Sequence, residues 1–116
     1  MADDQERPED RQDVDDPFDR HVGKVLDEEA ELLREQSDLL IATGSISLQR
    51  PTGVLTGHLR PPGWWRRGEL EVRTVAAGSS GSARIPLSHA EYRDHARLHS
   101  EIRLQLAVQL AWLEEQ

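Results

Sequence analysis

The chain has no cysteine among its 116 residues. That excludes disulfides, thiolate metal sites and a cysteine nucleophile. It also lacks asparagine, and its only lysine is Lys24, against 13 arginines. This bias hints at a GC-rich bacterial or phage genome. Aromatic residues number five: Phe18, Trp64, Trp65, Tyr92 and Trp112. The 36% hydrophobic content is low for a compact domain, so either part of the chain stays outside the core or association with a second copy completes it. No apolar run reaches the length of a membrane span, and the N-terminus lacks the apolar core of a signal peptide. The expectation is a soluble, cytoplasmic protein with no membrane partner. Phosphate-binding loops are missing as well: there is neither G-x-x-x-x-G-K nor G-x-G-x-x-G. No serine sits in G-x-S-x-G. No catalytic residue, cofactor or metal is assigned, and the expectation is a protein that is not an enzyme.

What is present is charge, unevenly placed. The formal net charge is −8. Residues 1–17 hold eight acids against Arg7 and Arg11, whereas residues 44–87 hold six arginines against Glu69 and Glu71. An acidic protein therefore carries a basic middle. Residues 1–15 are almost wholly polar and without periodicity, which reads as a disordered acidic tail preceding a single α+β domain over 16–116. The tail is either a solubilising extension or a cover for the basic middle.

Order is expected from Asp16-Pro17, an N-cap followed by proline at the first helical position. A helix should run to Thr43 and stop at Gly44. Its apolar doublets Val25-Leu26, Leu32-Leu33 and Leu39-Leu40 recur every seven residues, which suits antiparallel packing on another helix. Glu29 and Gln36 interrupt that stripe. From Gly44 the period changes to two. Strands are expected at 45–49, 54–59, 69–76 and 83–87, with Gly78 to Ser82 a flexible loop and Pro86 marking an edge strand. The last helix should fill Ser88 to Gln116, opened by a capping box of Ser88 and Glu91. Leu98, Ile102, Leu106, Leu110 and Leu113 line one face of it. Leu104, Ala107, Val108, Ala111 and Trp112 spread apolar character round most of the remainder, so this segment should be covered on more than one side.

The order is α-β-β-β-β-α: an antiparallel β-meander with two long helices packed on one face and the arginines largely on the other. In topology alone this is similar to the α-β-β-β-α order of double-stranded-RNA-binding modules, with one strand more. The start of the last helix, Ser88 to Tyr92, lacks the lysine cluster that those modules place on phosphates. It is similar in the same sense to small acidic secretion-type chaperones that dimerise through a helix.

Three constellations stand out. His95 and His99 lie one helical turn apart, a spacing that suits either a metal pair or the wet end of the helical seam. The seam is the expectation, since no third ligand is evident. Glu29, a carboxylate within an apolar stripe, needs a partner, and the expected pair joins it to Arg103, His99 or His95 on the last helix. Trp64, Trp65, Arg66 and Arg67 fall in a loop framed by Pro61-Pro62-Gly63 and Gly68. They either close the end of the core or present the residue types that dominate binding surfaces. The leading functional expectation is a small acidic adaptor, regulator or chaperone. It binds a protein partner through this loop and the outer sheet face, as a homodimer through residues 104–113. The alternative is a nucleic-acid-binding module that uses the arginines of residues 44–87, with the acidic tail as autoinhibitor.

Overall fold

The computed structural model describes residues 16–116. The expectation made for residues 1–15 lies outside that range. Eight elements follow in order: α1 (Pro17–Glu28), α2 (Ala30–Thr43), β1 (Ser45–Arg50), β2 (Gly53–Arg60), β3 (Gly68–Ala76), β4 (Ser79–Leu87), α3 (His89–Arg93) and α4 (His95–Glu114). The strands form one antiparallel sheet in the order β1-β2-β3-β4, with helices before and after it. This is the expected α+β meander.

Most of the end signals act where the sequence places them. The Asp16 carboxylate accepts from the Phe18 amide at 2.9 Å. Gly44 closes α2 in the left-handed region at φ 86°, where a side chain would be strained. Ser88 and Glu91 exchange the two bonds of a capping box, at 3.1 and 2.8 Å.

Three boundaries differ from expectation. The first helix kinks at Glu29, whose backbone leaves the helical region at φ −111°, ψ 26°. No proline or glycine lies there. The Glu29 side chain instead reaches across to Arg50 on β1, a tertiary contact. The last helix breaks at Asp94, which caps α4 by accepting from the Arg97 amide at 3.2 Å. The segment Gly78 to Ser82 is mostly strand: only Ala77 and Gly78 form the turn, and Ser79–Ser82 pair with Arg73–Ala76. A paired neighbour overrides the weak strand preference of serine and glycine.

The helical layer covers the inner sheet face. Leu55, Leu59, Leu70, Val72 and Thr74 alternate inward and are buried against Leu33, Leu40, Leu98, Ile102, Leu106 and Leu110. α4 touches β2, β3 and β4 on one side and α1 and α2 on others. Its apolar circumference is thereby used within one chain: Leu106, Ala107, Leu110, Ala111 and Leu113 are buried, Val108 and Trp112 half-buried, and Leu104 is 41% exposed. The second cover expected for residues 104–113 is the α1–α2 rod. Gln109 is buried as well, and accepts from the Thr74 hydroxyl at 2.9 Å.

The outer face is mostly polar, although Val75 stands 53% exposed on it. The register sets Ser45, His58, Glu71 and Arg84 in one row and Ser47, Thr56, Arg73 and Ser82 in the next. Among the described residues, no helix is long and apolar enough to cross a membrane.

Candidate functional site

The β2–β3 connection projects from the end of the sheet next to α3. Pro61 and Pro62 stop β2 from continuing, because proline lacks the ladder donor. The loop then closes on itself through the Gly63 amide, which donates to the Arg66 carbonyl at 2.9 Å. Two side chains from outside tie it down. His89 at the start of α3 donates from Nε2 to the Gly63 carbonyl at 3.0 Å; a carbonyl only accepts, so that nitrogen carries the proton. Arg60 donates to the Arg67 carbonyl at 3.3 Å.

On this tied backbone stand two exposed indoles. Trp64 is 87% exposed and Trp65 78%. Their ring centroids lie 5.5 Å apart in an edge-to-face arrangement. Neither plugs the core. Arg66 and Arg67 are also exposed and enter no ion pair among the described residues. Together with Ser88 and His89 the loop borders a shallow cleft of ≈ 320 Å³. The Glu91 carboxyl is held below its usual range, first by the capping bonds at Ser88 and only weakly by Arg97 and Arg67. It belongs to the capping box and leaves Arg67 available.

The arginines of the sheet are differently placed. Glu71 accepts from both Arg84 and Arg73, each at 3.1 Å. Its carboxyl is thereby held below the usual range, chiefly by the bond from Arg84. Arg50 has inward parity and pairs with Glu29 at 2.8 Å.

The expected seam pair is therefore not the one that forms. Glu29 meets Arg50, not Arg103, His99 or His95. His99 instead faces α2, with Nδ1 2.9 Å from the Ser37 hydroxyl and 3.5 Å from the Asp38 carboxylate. Serine, histidine and aspartate in one cluster invite comparison with a hydrolytic triad. A triad uses the two imidazole nitrogens separately, one for the serine and one for the carboxylate. Here both contacts converge on Nδ1, and Ser37 is fully buried. The cluster locks α2 to α4, and His99 does sit in the helical seam. His95 is exposed. No three His, Asp or Glu side chains among the described residues converge as a metal site requires. Arg103 lines a cleft of ≈ 400 Å³ with Leu26, Arg97 and Leu104 on the helical side.

The sequence points to Trp64–Arg67 by residue type alone. It gives no sign of His89 as the loop's anchor, because that contact joins positions 26 residues apart. Glu29–Arg50 is equally hidden, at a separation of 21.

No protein-family model, no curated protein and no solved structure matches this chain.

Proposed function

We propose that the chain is a non-enzymatic protein-binding module whose contact surface is the loop Trp64–Arg67, continued by the outer face of the sheet. The observation that carries this reading is the exposure of Trp64 and Trp65 on a backbone tied by His89 and Arg60. Large indole surface left in water is unfavourable, and a tied loop loses little conformational freedom on association. Tryptophan and arginine are also the residue types that contribute most at protein interfaces.

A nucleic-acid reading has less support. Arg73 and Arg84 share the single carboxylate of Glu71, which offsets one of their two charges, and Arg50 pairs with Glu29. Apart from His58, the outer sheet face also lacks aromatic side chains on which bases would stack. A homodimer through residues 104–113 keeps only Leu104, and the half-buried flanks of Val108 and Trp112, as support.

The test is affinity capture from the native host with the wild-type chain and the Trp64→Ala/Trp65→Ala variant. Loss of two anchors should weaken a purified partner by about a hundredfold or more, since each anchor is worth upwards of about 2 kcal/mol. Equal capture by both proteins, with equal melting temperatures, would remove the loop from the interface.

A further inference from the structure

The sheet has two edge strands, and they are not alike. β4 carries Arg84 and Pro86, the kinds of residue that stop an edge from recruiting another strand. β1 has no proline, and its single charge, Arg50, is taken up by Glu29. Backbone parity decides which of its groups stay open. The Leu59 amide donates to the Gly44 carbonyl at 2.9 Å, so Gly44 and Leu59 form a hydrogen-bonded pair. Such pairs alternate along an antiparallel ladder. Ile46, Leu48 and Arg50 therefore bond β2, and the amides and carbonyls of Ser45, Ser47 and Gln49 point away from it. Ser45 is served within the chain: its amide donates to the Thr43 hydroxyl at 3.4 Å, and its carbonyl lies 2.9 Å from the same oxygen. The backbone groups of Ser47 and Gln49 have no partner on that side among the described residues.

The helix above this edge has an unused flank. α2 is seated over β1 and β2. It faces α4 through Ser37 and Asp38, which meet His99. The opposite flank is the helical stripe Leu32, Gln36, Leu39 and Thr43. Leu32 and Gln36 are half-buried, and Leu39 is 46% exposed. Of the two apolar doublets in α2, Leu33 and Leu40 enter the core, whereas Leu32 and Leu39 are not part of it. Every side chain of this flank, and Ser45, Ser47 and Gln49 on the edge below it, is uncharged, in a chain that is 31% charged with a net charge of −8. A surface free of like charge is what a second copy of the same chain requires.

We propose that β1 pairs antiparallel with β1 of a second copy about a two-fold axis at Leu48. In that register Ser47 lies opposite Gln49 of the partner subunit, and Gln49 opposite the partner's Ser47, each pair exchanging two backbone bonds. These are the groups left open on each edge, and Ser45 keeps Thr43. Leu48 meets the partner's Leu48 on the helical side. The two meanders of four strands become one continuous sheet. A helix seated between β1 and β2 then stands about 10 Å from its copy, two strand spacings, which is the distance of packed helices. Leu32 and Leu39 are thereby covered by the same flank of the partner subunit. The loop Trp64–Arg67 contributes nothing to this seam, so the pairing is independent of the reading of that loop.

The test is sedimentation of the full chain across the micromolar range, in which wild type should form a dimer. Ser47→Lys/Gln49→Lys sets lysine opposite lysine at both pairs and should raise the dimer Kd about tenfold or more. Ser47→Glu/Gln49→Glu should do the same. An equimolar mixture of the two variants should recover the dimer, which separates a failure to pair from a failure to fold. The chain has no cysteine of its own, so oxidation of single-cysteine variants reads the register. Leu48→Cys should cross-link to its copy, and Ser47→Cys should not, because only the first pair has the Cα separation that a disulfide spans. A wild-type chain that stays monomeric throughout overturns the proposal, as does a dimer that the lysine variant leaves unchanged. Cross-linking through Ser47→Cys in place of Leu48→Cys overturns the register. Protection of the Ser47 and Gln49 amides from hydrogen exchange in a monomer overturns the second copy as occupant, since another segment of the same chain would then fill the edge.

Discussion

At the end of the sheet that carries the β1–β2 and β3–β4 turns, nearly every strong group is matched. His21 lies between Glu114 and Glu115, Arg50 takes Glu29, and Ser79 takes Gln116. Leu113 packs so closely on the β1–β2 turn that a Cβ at Gly53 would sit 2.8 Å from it. At the other end, Trp64, Trp65, Arg66 and Arg67 project into water from a loop whose backbone is tied at Gly63, Arg66 and Arg67. The contrast teaches that exposure at the loop is local and specific. The same chain buries Leu70, Leu98 and Leu110 almost completely, so poor packing in general does not explain two bare indoles.

Substitutions at the two ends should separate cleanly, and the largest effect belongs to the core between them. Leu106→Ala removes a buried side chain and should cost about 3 kcal/mol in urea unfolding. An effect below about 1 kcal/mol would show that the helical layer is loosely packed and weaken the contrast. Thr74→Val deprives the buried Gln109 carbonyl of its donor and should cost about 1.5 kcal/mol.

Glu29→Leu removes the partner of a guanidinium that is only 28% exposed and whose Nε already lacks an acceptor. A loss of about 1 kcal/mol is expected, with partial recovery in the Glu29→Leu/Arg50→Met double variant. Additive losses would mean that the pair does not act as a unit.

His21 offers a pH handle on the matched end. Hydrogen bonds to Glu114 and then Glu115 raise its pKa above the ordinary value. The charged ring is favoured in the folded state, so its contribution is complete below the unfolded pKa of about 6.5 and is lost as pH rises through the higher folded value. The carboxylates are about half exposed, so the effect should stay under about 1 kcal/mol. Melting temperature should fall slightly from pH 6 to 8 in wild type, and His21→Gln should flatten that slope.

The smallest effect should come from Trp64→Ala/Trp65→Ala, within about 0.5 kcal/mol of wild type in the same unfolding measurement. A loss of 2 kcal/mol or more would show the indoles to be structural and would erase the difference between the two ends.

Local signals in the chain were sufficient for the element order, the meander, the caps at Asp16, Gly44 and Ser88, and the inward set Leu70, Val72 and Thr74. Each depends on neighbours a few residues away: a cap bond, a period of two, a glycine at positive φ. The composition of Trp64–Arg67 marked that loop, but not whether its indoles were buried. Tertiary structure alone decided that they are exposed, that Glu29 pairs with Arg50, that His99 turns to Ser37, and that α1 and α2 together cover α4. These contacts join residues 21 to 94 positions apart, and no local preference encodes which distant group a side chain will meet once the layers close.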